Sequence, residues 1–399
     1  MRLLSAFTKI SKKAYLVAVI TFFMRAGHFM SLPFLAIYLA RQGLLSPSQI
    51  GMVLGISGLI FSLTSLINGL YIDRSSHKNI IIGALLLSSI CYFGFAFSMQ
   101  LFYGLLLLNA ALGWFRSLID VSSMKILVTH SKSEHLSYAY SARFIGANLG
   151  VVLGPLIGAV MATHQSLLIF YLAGAFNIVL AIVMLFYSEP PRGLEETKPK
   201  FNLRENFSTV IKDKTLVNIT IINLIIWIVY SQIDTTLPQY LAYEWNNPAV
   251  IFSVLMATNA LICVIFQPFV LRWAELTSPK ISGILGSLMF STSFILIGAH
   301  PTTITMIAAV IIMTLGELFT LPINGLLIMR VAPKHLIASY NGFTNLGMLG
   351  LSIGPVLGGY GLQLIGGREV FLLSALLPII AGWLYFKGVS VEKEINNEL

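Results

Sequence analysis

The chain alternates long apolar runs with short polar breaks. A helix rising about 1.5 Å per residue needs roughly 20 apolar residues to cross the hydrocarbon core of a bilayer. Runs of that length fall at 14–40, 48–71, 79–99, 101–128, 136–163, 166–187, 216–243, 249–270, 280–299, 302–329, 336–363 and 369–387. The pattern therefore predicts twelve membrane spans, six on each side of a polar stretch. That stretch, Glu189 to Lys214, carries Pro190, Pro191, Gly193 and Pro199 among alternating charges, which suits a hydrated linker. The expected organisation is a bundle over 1–188, a linker over 189–214 and a second bundle over 215–399.

The two halves repeat. Gly150, Gly154, Pro155 and Gly158 recur as Gly350, Gly354, Pro355 and Gly358, 200 residues apart, both sets inside apolar runs. At the same offset His135, Leu136, Tyr140 and Leu149 coincide with His335, Leu336, Tyr340 and Leu349. Duplicated halves of a helical membrane protein point to a transporter whose substrate path lies between them near mid-bilayer. Small residues at four-residue spacing let helices approach closely, and a proline frees one backbone hydrogen bond and permits a kink.

Composition agrees with life in lipid: 56% of the 399 residues are hydrophobic, 10% are charged, and the mean hydropathy is +0.84. The net charge of +9 is spread over many short loops, so no nucleic-acid partner is expected. Twenty Lys and Arg fall on the side of the N-terminus, against Arg41 and Arg368 opposite, which places both termini and the linker in the cytoplasm. The first apolar run is too long for a cleavable signal and is read as span 1. Cys91 and Cys263 sit in different spans without metal-type spacing and are read as packing side chains. No phosphate-binding loop of the G-x-x-x-x-G-K-[ST] type is present, so an ion gradient is the expected energy source and no cofactor is expected. The seven His lack ligand spacing and no nucleophile–base set is visible, which argues against an enzyme.

Six charged residues fall well inside spans: Arg25, Arg116, Arg143, Asp120, Asp234 and Glu317. A charge at mid-bilayer costs roughly 2.5 to 3.5 kcal/mol on insertion scales, so each is paired, wet or mechanistic. Arg116 and Asp120 stand four residues apart on one helix and are expected to pair; a part in proton relay or substrate orientation stays open. Arg25 lies near mid-membrane, and Arg143 is close enough to a helix end to snorkel. His28, near Arg25, reads as a packed histidine with a proton relay as the alternative. Asp234 and Glu317 have no cation within a turn of their own sequence. Burial raises a carboxyl pKa, which suits such a group to carrying a proton or attracting a cationic substrate. Asn109, Asn148, Asn223, Asn259, Asn324, Asn345, Gln232 and Gln267 read as helix-to-helix hydrogen-bonding groups or as cavity lining.

At these residues the chain resembles the major facilitator superfamily, and within it the twelve-span drug:proton antiporter group to which the lactococcal multidrug antiporter belongs. Gly69-Leu-Tyr-Ile-Asp73-Arg74-Ser-Ser76-His77-Lys78 resembles the family's G-x-x-x-D-R-x-G-R-[KR] gating loop, with Ser76 in place of Gly and His77 in place of Arg; Arg272-Trp273-Ala-Glu275 is a remnant counterpart. Gly150, Gly154, Pro155 and Gly158 are similar to the family's antiporter motif, with Ala159 replacing its last glycine. Arg116 falls where the family has an arginine linked to proton transfer, without the glutamine and glycine usually downstream. The segments Gln232 to Leu241 and Thr314 to Glu317, then Pro322 and Ser339-Tyr340-Asn341-Gly342, look like the helices in which that group handles protons and cationic drugs.

The resemblance implies an all-α integral membrane protein of the major facilitator fold, with twelve helices in two six-helix pseudo-symmetric bundles. It implies a multi-pass monomer in a bacterial cytoplasmic membrane that exchanges a lipophilic or cationic small molecule for protons. Proton-coupling and substrate residues would be Asp234, Glu317, Asp120, Arg116 and Arg25. A dedicated metabolite or siderophore transporter of the same fold is the alternative.

Overall fold

The computed structural model describes residues 11–72, 77–131, 136–162, 167–187, 212–276, 278–331, 340 and 343–388. Among these there is no strand. The first half holds α1 (Lys12–Gln42), α2 (Pro47–Ile72), α3 (His77–Phe97), α4 (Phe102–Thr129), α5 (Leu136–Ala162) and α6 (Leu168–Leu185). Then come α7 (Lys214–Ser231), a π-helical turn (Gln232–Thr236), α8 (Leu237–Glu244), α9 (Pro248–Leu276), α10 (Pro279–Ala299) and α11 (Thr303–Val331). A 3-10 turn (Asn345–Leu349) leads into α12 (Gly350–Leu364), followed by α13 (Gly367–Ser374) and α14 (Leu376–Gly388).

Eleven stretches of the described residues are helical, long and apolar enough to cross a membrane. They correspond to eleven of the twelve expected spans. The remaining one, 336–363, starts in residues outside the described set and continues as the 3-10 turn and α12. The expected linker is likewise outside the described residues up to 211.

The helices start and stop for local reasons. Ser11 caps α1 by accepting the Ala14 N–H on Oγ at 3.2 Å, and Asp213 caps α7 by accepting the Thr215 and Leu216 N–H groups at 2.9 and 3.1 Å. Gly43 ends α1 in the left-handed region at φ 61°, a conformation that costs glycine nothing. Inside the spans, Thr21, Ser31, Thr220, Ser287 and Thr314 return their hydroxyl protons to carbonyls four residues earlier, so these polar groups are satisfied without water. Large side chains such as Phe97, Ile304 and Phe186 stay about four-fifths exposed, which is stable only against lipid.

Contacts group the chain into two compact units: Met1–Pro191 with Asp234–Ala260, and Arg192–Ile233 with Leu261–Leu399. In the first, α1 packs along α5, α2 along α4, α3 against α4 and α6, and α8 against α1. At the Arg41 end of α1, the guanidinium donates to the Trp245 and Asn246 carbonyls just past α8. Phe34 meets Phe252 edge to face at 6.0 Å, and Ser253 Oγ donates to the Pro155 carbonyl at 2.8 Å. In the second unit, α7 packs on α12 and α14, and α10 on α11, α13 and α14.

The α1–α5 seam of the first unit is repeated as α7–α12 in the second. A methyl group placed on Gly150 would stand 2.5 Å from the Phe22 carbonyl oxygen and 2.8 Å from Arg25 Cβ; on Gly350 it would stand 2.5 Å from the Leu224 oxygen and 2.8 Å from Trp227 Cβ. On Gly154 it would meet the Ala26 oxygen at 2.7 Å, and on Gly354 the Ile228 oxygen at 2.6 Å. These seams pair backbone with backbone, so only glycine fits. Residues of α1 and α7 that occupy the same place are 202 apart, including the caps Ser11 and Asp213, while the facing glycines are 200 apart. The duplication is therefore structural as well as textual, with two residues more between the α1 and α7 positions than between the glycines. By that correspondence Trp227 occupies in the second unit the place of Arg25 in the first.

Candidate functional site

Arg25 stands 13 residues into α1, about 20 Å along it at 1.5 Å per residue. It opens onto a cavity of about 40 Å³ that is also lined by Thr21 of α1, Phe61 of α2, and Arg116, Asp120 and Ser123 of α4. That volume accommodates a water molecule or a group of two to three heavy atoms.

The charges within this cluster are arranged differently from the sequence expectation. Asp120 forms its salt bridge with Arg143 of α5, Oδ1 to Nη2 at 2.5 Å, and not with Arg116 one turn away. Arg143 faces α5's neighbours because it shares a helix face with Gly146 and Gly150, at spacings of three and seven, and that face is the one seated on α1. A residue on the packing face points into the bundle, so Arg143 does not snorkel; its side chain is 20% exposed against 41% for Asp120.

Arg116 turns to His28 on α1, with Nη1 2.9 Å from Nδ1, and its guanidinium lies 5.9 Å from the centre of the Phe61 ring. A guanidinium has donors only, so His28 accepts on Nδ1 and carries its proton on Nε2. This histidine, read from sequence chiefly as a packing residue, is thus a specific partner of a half-buried cation. Nearby, Asn68 Nδ2 donates to Ser117 Oγ at 2.8 Å and Trp114 Nε1 donates to Asn68 Oδ1 at 3.3 Å, which ties α2 to α4 beneath the cluster.

Asp234 sits half-buried in the π-helical turn between α7 and α8. Pro238 explains the turn. Without an N–H it cannot bond the carbonyl four residues back, and the wider turn redistributes the carbonyls around Asp234. Just before it, Gln232 Nε2 donates to the Gly354 carbonyl at 2.9 Å, and Gly354 touches Ser231 Oγ so closely that no side chain fits. Glu317 is half-buried on α11. It belongs to the second compact unit, whereas the Arg25 cluster and Asp234 belong to the first.

Several amides prove to be helix-to-helix ties. Asn324 donates from Nδ2 to Asn223 Oδ1 and accepts the Tyr385 hydroxyl on Oδ1, both at 2.5 Å, joining α7, α11 and α14. Asn109 donates from α4 to the Val53 carbonyl of α2. Asn148 and Asn177 return to carbonyls of their own helices. Of the gating loop, Gly69 is in the last turns of α2, while Asp73 and Arg74 lie outside the described residues. Gly158 of the antiporter motif packs on the Phe34 ring. No group of three or more His, Cys, Asp or Glu suited to a metal ion occurs among the described residues.

Comparison with known proteins agrees with this architecture. The chain is 28% identical over 377 residues to the uncharacterised transporter YqjV of Bacillus subtilis, covering 92% of this chain and 90% of that one. It is 21% identical to a Na(+), Li(+), K(+)/H(+) antiporter of Planococcus maritimus, covering 91% and 92% of the two chains. With the quinolone resistance protein NorA of Staphylococcus aureus it shares 25% identity over 276 residues, 67% of this chain and 69% of that one. The profile described as Major Facilitator Superfamily matches residues 17–350. A duplicated helical membrane protein with this match, acting as a transporter and not an enzyme, belongs to the major facilitator superfamily.

Proposed function

We propose that the chain is a proton-coupled exporter of lipophilic or cationic small molecules in the cytoplasmic membrane, working as a monomer with both termini in the cytoplasm. Its bundles, 1–188 and 215–399, would rock about a central path and expose it to each side in turn. The observation that carries this reading is the placement of two half-buried carboxylates, Asp234 and Glu317, inside apolar helices, one of them in an irregular π-helical turn. A carboxyl group inside a span can hold either a proton or a cationic group. A protonated acid releases a cationic cargo, and a deprotonated one recaptures it, so proton and cargo exclude each other and exchange follows.

Relatives support the reading: an antiporter that exchanges monovalent cations for protons, and a drug-resistance protein. Asp120, Arg116 and Arg25 would assist by holding or relaying charge near mid-span.

The test is efflux of a cationic dye from inverted vesicles under an imposed pH gradient. Glu317→Gln and Asp234→Asn should each reduce gradient-driven transport at least tenfold while leaving the protein folded. Transport that survives both substitutions unchanged would remove these acids from the coupling step.

A further inference from the structure

Two guanidinium groups open onto the α1–α4 cavity, and no carboxylate salt-bridges either one among the described residues. Arg116 is held by a neutral histidine and an aromatic ring. Arg25 forms no hydrogen bond or ion pair with the described residues. The single acid lining the cavity, Asp120, is engaged by Arg143. Of the cavity's own lining, the guanidinium groups of exposed Arg25 and half-buried Arg116 therefore face one carboxylate that Arg143 already engages. Donors are in surplus as well. The hydroxyls of Ser122 and Ser123 and the Nε of Arg143 are buried without a hydrogen-bond partner among the described residues. Ser123 itself lines the cavity. Unmet donors and unmatched positive charge call for the same complement, an oxyanion. The planar fork of a guanidinium matches a carboxylate or phosphate group in two parallel hydrogen bonds, and Arg25 and Arg116 present two such forks.

We propose that this cavity binds an anionic group of carboxylate size, carried by the transported molecule. At about 40 Å³ it receives that group alone, and the remainder of the cargo lies outside it. The inference rests on the exporter reading above and narrows its cargo to molecules bearing a negative group beside their apolar or cationic part. Arg25 is the side chain that sets this preference, since Arg116 is already held by His28.

The dyes rhodamine 123 and rhodamine 110 test it, because they share one cationic ring system and differ only in that the first is the methyl ester of the second's carboxylate. Binding is read as fluorescence polarisation on the purified full chain in phosphatidylcholine nanodiscs, with no pH gradient. The unaltered protein should bind rhodamine 110 at least fivefold more tightly than rhodamine 123. Arg25→Gln should weaken rhodamine 110 about tenfold, the scale of a lost charge-assisted hydrogen bond, and leave rhodamine 123 within about twofold. Arg25→Lys should restore part of the difference. If Arg25→Gln does not fold, Ser123→Asp supplies the missing negative charge within the cavity and should erase the preference in the same way. Equal weakening of both dyes, or tighter binding of the ester by the unaltered protein, overturns the proposal. A site occupied by inorganic phosphate or by added phosphatidylglycerol with no preference between the dyes belongs to a free anion or a lipid headgroup and also overturns it. The dye comparison is made at one fixed pH and requires no transport, so failure here leaves the Glu317→Gln efflux test standing, and the converse.

Discussion

Arg143 on α5 reaches Asp120 on α4 across 2.5 Å, a link between helices where the sequence suggested a link along one. Partial exposure of both side chains moderates its strength, because water screens what it can reach. Removing one member of such a pair nevertheless leaves the other unmatched at depth. Asp120→Asn and Arg143→Gln should each lower stability by about 1–2 kcal/mol, and the double substitution should cost less than their sum. Thermal midpoints of the four proteins in detergent give the coupling; strict additivity would show that the pair contributes nothing.

The glycines of α1 and α5 separate crowding from helix propensity. A methyl group on Gly27 would have nothing within 4 Å, whereas on Gly150 or Gly154 it would find backbone atoms closer than 3.0 Å. Gly27→Ala should therefore leave stability unchanged or raise it by up to about 1 kcal/mol, as alanine favours helix. Gly150→Ala and Gly154→Ala should each cost about 1–3 kcal/mol, on the scale of an overpacked core, and reduce the yield of folded protein. Size-exclusion profiles and melting curves of the three variants decide the matter. Equal tolerance at all three positions would contradict a seam of backbone on backbone.

Pro238 holds open the turn that carries Asp234. With Pro238→Ala the segment can regularise to an α-helix, which removes about one residue's worth of unwinding and turns Asp234 roughly 100° about the axis. Gradient-driven dye efflux should fall at least tenfold while the melting temperature stays level or rises. Retained transport would mean that the direction of Asp234 is immaterial.

Eleven of the twelve expected spans were legible because lipid imposes a minimum apolar length that few other environments demand. The repeat was legible through glycine, since backbone contact tolerates no other residue at Gly150, Gly154, Gly350 or Gly354. The partners of the charges were not. Spacing along one helix offered Asp120 to Arg116, but the packing of α5 beside α4 brings Arg143 in, and that packing joins segments distant in sequence. A usable signal existed: Arg143 shares a face with Gly146 and Gly150. The π-helical turn was hidden for another reason. A proline announces a break, and the choice among kink, 3-10 and π geometry is made by neighbours such as Gly354, which accepts the Gln232 amide.

The glycine seam between α1 and α5 has a mechanical corollary. Where the two helices touch through main chain, at Gly146, Gly150 and Gly154, few side-chain rotamers lie between them to rearrange, so small repacking steps give them little room to roll or slip. Pushing one drags its mate. The Cβ of Arg25 stands at that joint, so a stroke that shifts α5 moves the base of the side chain whose guanidinium lines the cavity.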